Sequence, residues 1–137
     1  MIEILEGTHE TINYGNPLGL RLFHNVDYED YPEHWHTAIE IIMPIHEGYN
    51  VIIGSKKYCL KEGDILIINP GVLHGLEAPP TGERIILQFS DYLIIFVKRN
   101  GDTVKCASAC AVFIRGRRHA EIIQFCKTSD GFHYCGV

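Results

Sequence analysis

The segment His34-Trp35-His36-Thr37-Ala38-Ile39-Glu40 carries two imidazoles and a carboxylate on residues of one parity. Successive side chains of an extended strand alternate between its two faces, so even-numbered residues share a face. A second segment, Gly63-Asp64-Ile65-Leu66-Ile67-Ile68-Asn69-Pro70-Gly71-Val72-Leu73-His74, has the pattern of a buried strand, a tight turn and one more histidine. We therefore expect His34, His36, Glu40 and His74 to converge on one side of a sheet.

These four side chains allow two interpretations. Two or three neutral imidazoles with one carboxylate are typical ligands of a divalent transition metal, here Zn, Fe, Mn or Ni. The same groups could instead hydrogen-bond to each other, to water or to the hydroxyls of a small molecule, because buried polar groups need partners. The sequence leaves the choice open, and in both cases the four residues form a candidate ligand-binding site.

Three further residues are candidates for the lining of a pocket. Tyr31 and Tyr58 each offer a hydroxyl and Gln88 an amide, although for each of them a structural role is the more common one. Trp35 has the opposite parity to the histidines beside it. It is expected to face away from the pocket and to pack against a neighbouring element or a partner subunit.

Short apolar runs separated by turn residues make up the first ninety residues. Leu18–His24, Tyr49–Ile53 and Arg84–Phe89 are predicted strands, and no amphipathic helix of ordinary length precedes Ser90. His34–Ile45 is predicted as one long strand or as two strands joined at a kink, with Pro44 marking an edge or a bulge. The pattern favours an all-β antiparallel sandwich or barrel with a pocket at its mouth.

Composition limits the classes of function. The chain has 137 residues and a formal net charge of −5, which suits one domain and disfavours contact with a nucleic-acid backbone. No apolar run is long enough to span a membrane, and the N-terminus lacks a secretory pattern, so a cytoplasmic location is expected. Five cysteines, an odd number, do not suggest a disulfide framework.

The C-terminal third has a different character. Residues 1–93 carry a formal charge of −9, whereas residues 94–137 carry +4 and four of the five cysteines. We therefore divide the chain into a barrel with an N-terminal arm, residues 1–93, and a tail, residues 94–137. The tail could be a basic extension, an aberrant end after a lost reading frame, or the last strands of the barrel at Leu93–Lys98 and Ala107–Ile114.

The two segments together resemble the two motifs of the cupin superfamily. The first cupin motif has two histidines, a glutamate and a later glycine, matched here by His34, His36, Glu40 and Gly48. The second runs from a glycine to a histidine and is matched by Gly63–His74. In this chain the proline of the second motif is displaced by one position, and Ala78 stands where an asparagine usually follows.

These departures fit one branch better, the N-terminal effector-binding domain of AraC-type transcription regulators. The resemblance covers roughly residues 18–93 and implies a cupin double-stranded β-helix, a jelly-roll-like barrel. It implies a small-molecule effector, often a sugar, and a homodimer. The helix-turn-helix units that bind DNA in such regulators are not expected in this chain. The alternative is a small metal-dependent cupin enzyme of the dioxygenase or isomerase type.

Overall fold

The computed structural model describes residues 4–26 and 28–90, and beyond residue 90 the backbone of three strands. The regular secondary structure of these residues is entirely β-strand, which confirms the all-β prediction. The thirteen strands are β1 (Leu5–Glu6), β2 (His9–Glu10), β3 (Leu20–Asn25), β4 (Tyr31–His34), β5 (Ile39–His46), β6 (Tyr49–Ile53), β7 (Lys56–Leu60), β8 (Ile65–Ile68), β9 (His74–Glu77), β10 (Glu83–Phe89), β11 (Cys110–Arg115), β12 (Glu121–Thr128) and β13 (Gly131–Cys135).

Two antiparallel sheets form the body of the fold. The larger sheet has the order β13-β12-β11-β8-β5-β10-β3, and the smaller has the order β4-β9-β6-β7. Alternation along the strands sets their inner faces: in β10, Arg84, Ile86 and Gln88 are buried, while Ile85 and Leu87 between them are only partly so. A two-stranded hairpin, β1-β2, precedes the sheets.

The hydrophobic core fills the space between the two inner faces. Ile42, Leu66 and Ile68 contribute from the larger sheet, and Val51 and Leu76 from the smaller. Each is at most 4% exposed. Burying an aliphatic side chain of this kind stabilises a fold by about 1.5–3 kcal/mol. The core therefore holds the two sheets together. It also sets the distance between their inner faces, where polar side chains of the two sheets meet.

The chain passes from the smaller sheet to the larger one between β4 and β5. The interval contains a one-residue bridge at Trp35 and a bend at residues 37–38, so His34–Ile45 is two strands and not one. As a result His34 and Glu40 lie on facing sheets. The prediction that these side chains share one face of a sheet is therefore wrong, but they still converge because the inner faces of the two sheets are opposed.

Pro44 lies at an irregularity in the larger sheet. Strand β5 pairs with β8 on one side and β10 on the other, so it is not an edge strand. The pairing with β10 shifts register between Glu83 and Arg84, opposite Pro44. A proline without an N–H to donate is tolerated at such a bulge. Of the two sequence interpretations of Pro44, the bulge is the one found.

Three strands from the C-terminal third extend the larger sheet. β11 pairs with β8 from Ala111↔Ile68 to Ile114↔Ile65, and β12 and β13 follow. The expected strand at Leu93–Lys98 lies outside the described residues. The domain boundary at residue 93 and the origin of the tail stay predictions.

A turn at Asn69–Gly71 joins the second sequence segment to the first. The Gly71 N–H donates to the carbonyl of His36 over 2.9 Å, and the Val72 N–H donates to the carbonyl of Asn69 over 3.3 Å. Gly71 has φ +78°, and a Cβ built on it would meet no atom within 4 Å. The backbone conformation, and not a lack of space, therefore demands glycine here.

Replacing Gly71 tests this turn. Gly71→Ala is expected to lower the free energy of unfolding by about 1–2 kcal/mol, because a Cβ is disfavoured at positive φ. Gly71→Asn, which has a side chain but tolerates this conformation, should cost distinctly less. Urea denaturation of the two variants measures the difference; equal losses would contradict a purely conformational cause.

Candidate functional site

The predicted site residues lie at one end of the space between the sheets. His34 at the end of β4 pairs directly with His74 at the start of β9 in the smaller sheet. Glu40 on β5 pairs directly with Gln88 on β10 in the larger sheet. His36 lies on the connection between the sheets. All five residues are buried, with at most 5% of each exposed.

The three imidazoles form a compact cluster. Ring centroids are 4.3 Å apart for His34 and His74, 5.2 Å for His36 and His74, and 5.8 Å for His34 and His36. One ligating atom from each ring lies within 4.8 Å of the other two, a spacing that could hold a metal ion. Nitrogens bound to one tetrahedral metal lie about 3.4 Å apart, so the rings would close in slightly on an ion.

Backbone carbonyls fix the orientation of all three rings. Nδ1 of His34 is 2.8 Å from the carbonyl oxygen of Pro32, Nδ1 of His36 is 3.0 Å from that of Ala38, and Nδ1 of His74 is 2.8 Å from that of Val72. A carbonyl oxygen only accepts, so each Nδ1 carries the proton and donates it. In the neutral ring Nε2 is then the free electron-pair donor, the tautomer that metal-binding histidines commonly adopt.

Two buried atoms of the cluster have no hydrogen-bond partner among the described residues. They are Nε2 of His74, whose residue is fully buried, and Oε1 of Gln88. Leaving a buried polar atom unpaired costs about 1–3 kcal/mol. This cost is understandable if these two atoms meet a bound ion or molecule.

Glu40 is the hydrogen-bond centre of the site. Its Oε2 is 2.8 Å from Nε2 of His36 and accepts a 2.8 Å hydrogen bond from Nε2 of Gln88. Burial acts to raise the pKa of Glu40, but the hydrogen bond from His36, the electrostatic influence of His74 and His36 and the bond from Gln88 lower it to about 2. Glu40 is therefore a carboxylate at neutral pH.

The histidines divide into two kinds. Burial opposes the charging of His36, but the hydrogen bond and charge of Glu40 outweigh burial and raise its pKa. Burial lowers the pKa of His34, and it lowers the pKa of His74 to about 4. Two neutral imidazoles and an ion pair thus face one another. Because a metal ion takes the place of the protons that such ligands carry, the residues present fit a divalent metal.

Glu10 is a site residue that the sequence argument missed. It lies in β2, is 3% exposed, and its Oε2 is 3.5 Å from Nε2 of His34. Burial raises its pKa to about 7. A two-residue strand far from both motifs offers no periodicity by which to find it.

A small cavity that opens to solvent lies beside the cluster. It is lined by both polar and apolar side chains, namely Glu10, Phe23, Tyr31, His34, Glu40, Leu76, Ile86 and Gln88. Of these, Ile86 and Leu76 share parity with Gln88 and His74, so strand alternation could have found them. Phe23 lies in the predicted first strand but carried no signal of its own.

The two predicted tyrosines have different positions. Tyr31 lines the cavity and accepts a 3.4 Å hydrogen bond from Nδ2 of Asn25. Tyr58 packs against the hydrophobic core and is not one of the residues that line the cavity. Its assignment to ligand binding stays a prediction that this placement does not support.

Trp35 packs against a neighbouring element and is not one of the residues that line the cavity. Its ring lies 4.3 Å from the ring of His9, centroid to centroid. The backbone N–H of Trp35 donates to the carbonyl of Thr8, and the backbone carbonyl of Trp35 accepts a hydrogen bond from the N–H of Glu10. The neighbouring element that it meets is therefore the N-terminal hairpin.

Solved structures similar to this chain share little sequence with it. Protein NMB1881 from Neisseria meningitidis matches with a TM-score of 0.48 and 16% identity over 55% of this chain and 78% of its own. SPY1581 from Streptococcus pyogenes, of unknown function, matches with 0.45 and 14% over 52% and 62%. Unsaturated fatty acid bound ToxT from Vibrio cholerae matches with 0.46 and 5% over 61% and 34%.

Sequence comparison is more specific. No curated protein sequence matches the chain. Across the described residues there is no helix long and apolar enough to span a bilayer. Residues 17–87, more than half of the chain, match the family described as AraC-like ligand binding domain, and they contain every residue of both sequence motifs. The chain therefore belongs to the family of AraC-like ligand binding domains.

Proposed function

We propose that this chain senses a small polar effector, such as a sugar, for an AraC-type transcription regulator in the cytoplasm. The observation that carries the proposal is the cavity between the sheets, whose lining combines acidic and amide groups with apolar ones.

The lining has complementary chemistry for a polyhydroxylated molecule. Glu40 and Glu10 accept hydrogen bonds from hydroxyls, and Oε1 of Gln88 is a buried acceptor with no partner in the described part of the chain. Phe23, Leu76 and Ile86 offer apolar surface to the carbon skeleton. A few placed polar groups in a mostly apolar cavity fix orientation and give specificity.

The proposal includes a divalent transition metal held by His34, His36, His74 and Glu40. The unpartnered Nε2 of His74 and the carbonyl-bound Nδ1 atoms support it. A metal here would polarise an oxygen of the bound molecule. The chain's own groups do the positioning: Gln88 holds Oε2 of Glu40, and the backbone of Pro32, Ala38 and Val72 holds the rings.

Metal titration tests this part of the proposal. The purified chain, first stripped with a chelator, should bind one equivalent of Zn²⁺ in calorimetry and gain thermal stability. His74→Ala should lose most of this affinity, because it removes the ring whose Nε2 has no hydrogen-bond partner among the described residues. His24→Ala, in an exposed histidine of β3 that pairs with Glu83, is the control and should bind normally. Equal affinity in both variants would contradict the assignment.

A metal-dependent enzyme is the second candidate, favoured by one observation. The cavity opens beside the histidine cluster, so a bound molecule could reach a metal held there. Such an enzyme would be of the dioxygenase or isomerase type. The two functions differ in the fate of the bound molecule: a sensor releases it unchanged, whereas an enzyme converts it.

A panel of monosaccharides and sugar acids distinguishes sensor from enzyme. We expect a member of the panel to raise the melting temperature of the metal-loaded chain, and Gln88→Leu to abolish most of that shift by removing the amide. Mass spectrometry after incubation should recover the molecule unchanged. A converted product would favour the enzyme, whereas no shift with any member would contradict the sugar class.

The proposal also includes a homodimer. The outer face of the larger sheet supports it, because apolar residues align across four strands: Leu22 pairs with Leu87, Leu87 with Ile41, and Ile41 with Ile67. Leu22 is 63% exposed on this face. Large apolar patches on a protein surface mark interaction sites.

A charge on this face should weaken the dimer. Leu22→Lys is expected to shift sedimentation toward the monomer at micromolar concentration, because an unpaired lysine would be buried in the interface. Tyr28→Lys, in an exposed residue of the loop before β4, is the control and should leave the dimer intact. An unchanged dimer in Leu22→Lys would exclude this face.

A further inference from the structure

We infer that Glu10, carried by the N-terminal hairpin, is a fifth ligand of the cation site and biases it toward a six-coordinate ion such as Mn²⁺. The inference rests on the proposed metal site and adds to it a residue from outside both sequence motifs. Its basis is the position of the Glu10 carboxylate against the histidine cluster.

The contact between Glu10 and His34 brings two acceptors face to face. Nδ1 of His34 donates to Pro32, so in the neutral ring Nε2 is an electron-pair donor. Oε2 of Glu10, an acceptor when the carboxyl is ionised, lies 3.5 Å from it, and both side chains are at most 4% exposed. Two buried acceptors repel unless a proton or a metal cation lies between them. A divalent ion at this position would satisfy both.

The spacing is that of two groups on one ion. Ligands about 2.1 Å from an octahedral ion lie about 3.0 Å apart when adjacent and about 4.2 Å when opposite. The Glu10–His34 distance of 3.5 Å lies between these two values and close to the spacing of about 3.4 Å on a tetrahedral metal. The Glu40–His36 distance of 2.8 Å is close to the adjacent value. The two carboxylates thus flank the three imidazoles, each against a different ring.

The hairpin holds Glu10 in register with the cluster. The Glu10 N–H donates to the carbonyl of Trp35 over 2.9 Å, and the Trp35 N–H donates to the carbonyl of Thr8 over 2.8 Å. Trp35 stands between His34 and His36 in the chain. The backbone of Glu10 is therefore fastened directly to the segment that carries two of the proposed ligands.

The donor set determines which ion benefits. Zinc is satisfied by four ligands in a tetrahedron, so a fifth adds little to its binding. Manganese prefers octahedral surroundings rich in carboxylate oxygen. Three imidazoles and two carboxylates would supply five of the six donors of an octahedral ion and would leave one for water or a bound molecule.

Metal affinities of the wild type and two variants test the inference. Full-length wild type, Glu10→Gln and Glu6→Gln are titrated with Mn²⁺ by electron paramagnetic resonance and with Zn²⁺ by competition against a chelating dye. Glu6 lies on the same hairpin but is exposed, so Glu6→Gln is the matched control. Glu10→Gln should weaken Mn²⁺ binding about tenfold or more, the scale seen when groups supporting a metal site are removed. Zn²⁺ binding should change by less than about threefold.

The outcomes separate the inference from the function on which it rests. If Glu10→Gln binds both ions as wild type does, Glu10 is not a ligand, and the histidine site stands without it. If wild type binds neither ion, the metal site itself is wrong. Should Glu10→Gln fail to fold by circular dichroism, Glu10→Asp takes its place. That variant keeps the charge but withdraws the carboxylate, and should again weaken Mn²⁺ more than Zn²⁺; equal weakening would overturn the selectivity.

Discussion

The passage of the chain from one sheet to the other at residues 35–38 is the constraint on which the site depends. It sets His34 and Glu40 on opposite walls and leaves His36 between them. The Gly71 N–H then bonds to the carbonyl of His36 and brings the start of β9, with His74, to the same place. Two hydrogen-bonded connections, rather than one continuous strand, therefore assemble residues that are far apart in sequence.

Polar burial at this end of the fold is expensive. His34, His36, Glu40 and His74 are each at most 2% exposed, while only a few kcal/mol separate folded from unfolded chains. The apolar core one step further along the strands, around Ile42 and Leu66, supplies the opposing stability. A polar cluster of no functional use would be better replaced by aliphatic side chains, so its presence in a small domain is best understood through what it binds.

Much of this arrangement is readable from the sequence, for identifiable reasons. The strand Tyr49–Ile53 has the predicted bounds, because turn residues delimit it on both sides, and β8 lies where a buried strand was expected before the Asn69–Gly71 turn. The three histidines and Glu40 were predicted because the spacing between them is visible in the sequence. Glu10 and Phe23 were not, since their nearness to the site comes from tertiary pairing alone. The sequence also could not decide between one strand and two at His34–Ile45. The even-numbered spacing of the histidines and Glu40 is the same whether or not a bend interrupts the strand.

The position of Glu10 has a consequence for how this family can diversify. The part of the chain that matches the family begins at residue 17, so this carboxylate lies before the matched segment. Two members could keep the same walls, the same histidines and the same turn, yet present different chemistry to the cavity through a short leading hairpin. The polar groups that the hairpin presents to the cavity could then change without disturbing the packing that holds the sheets together.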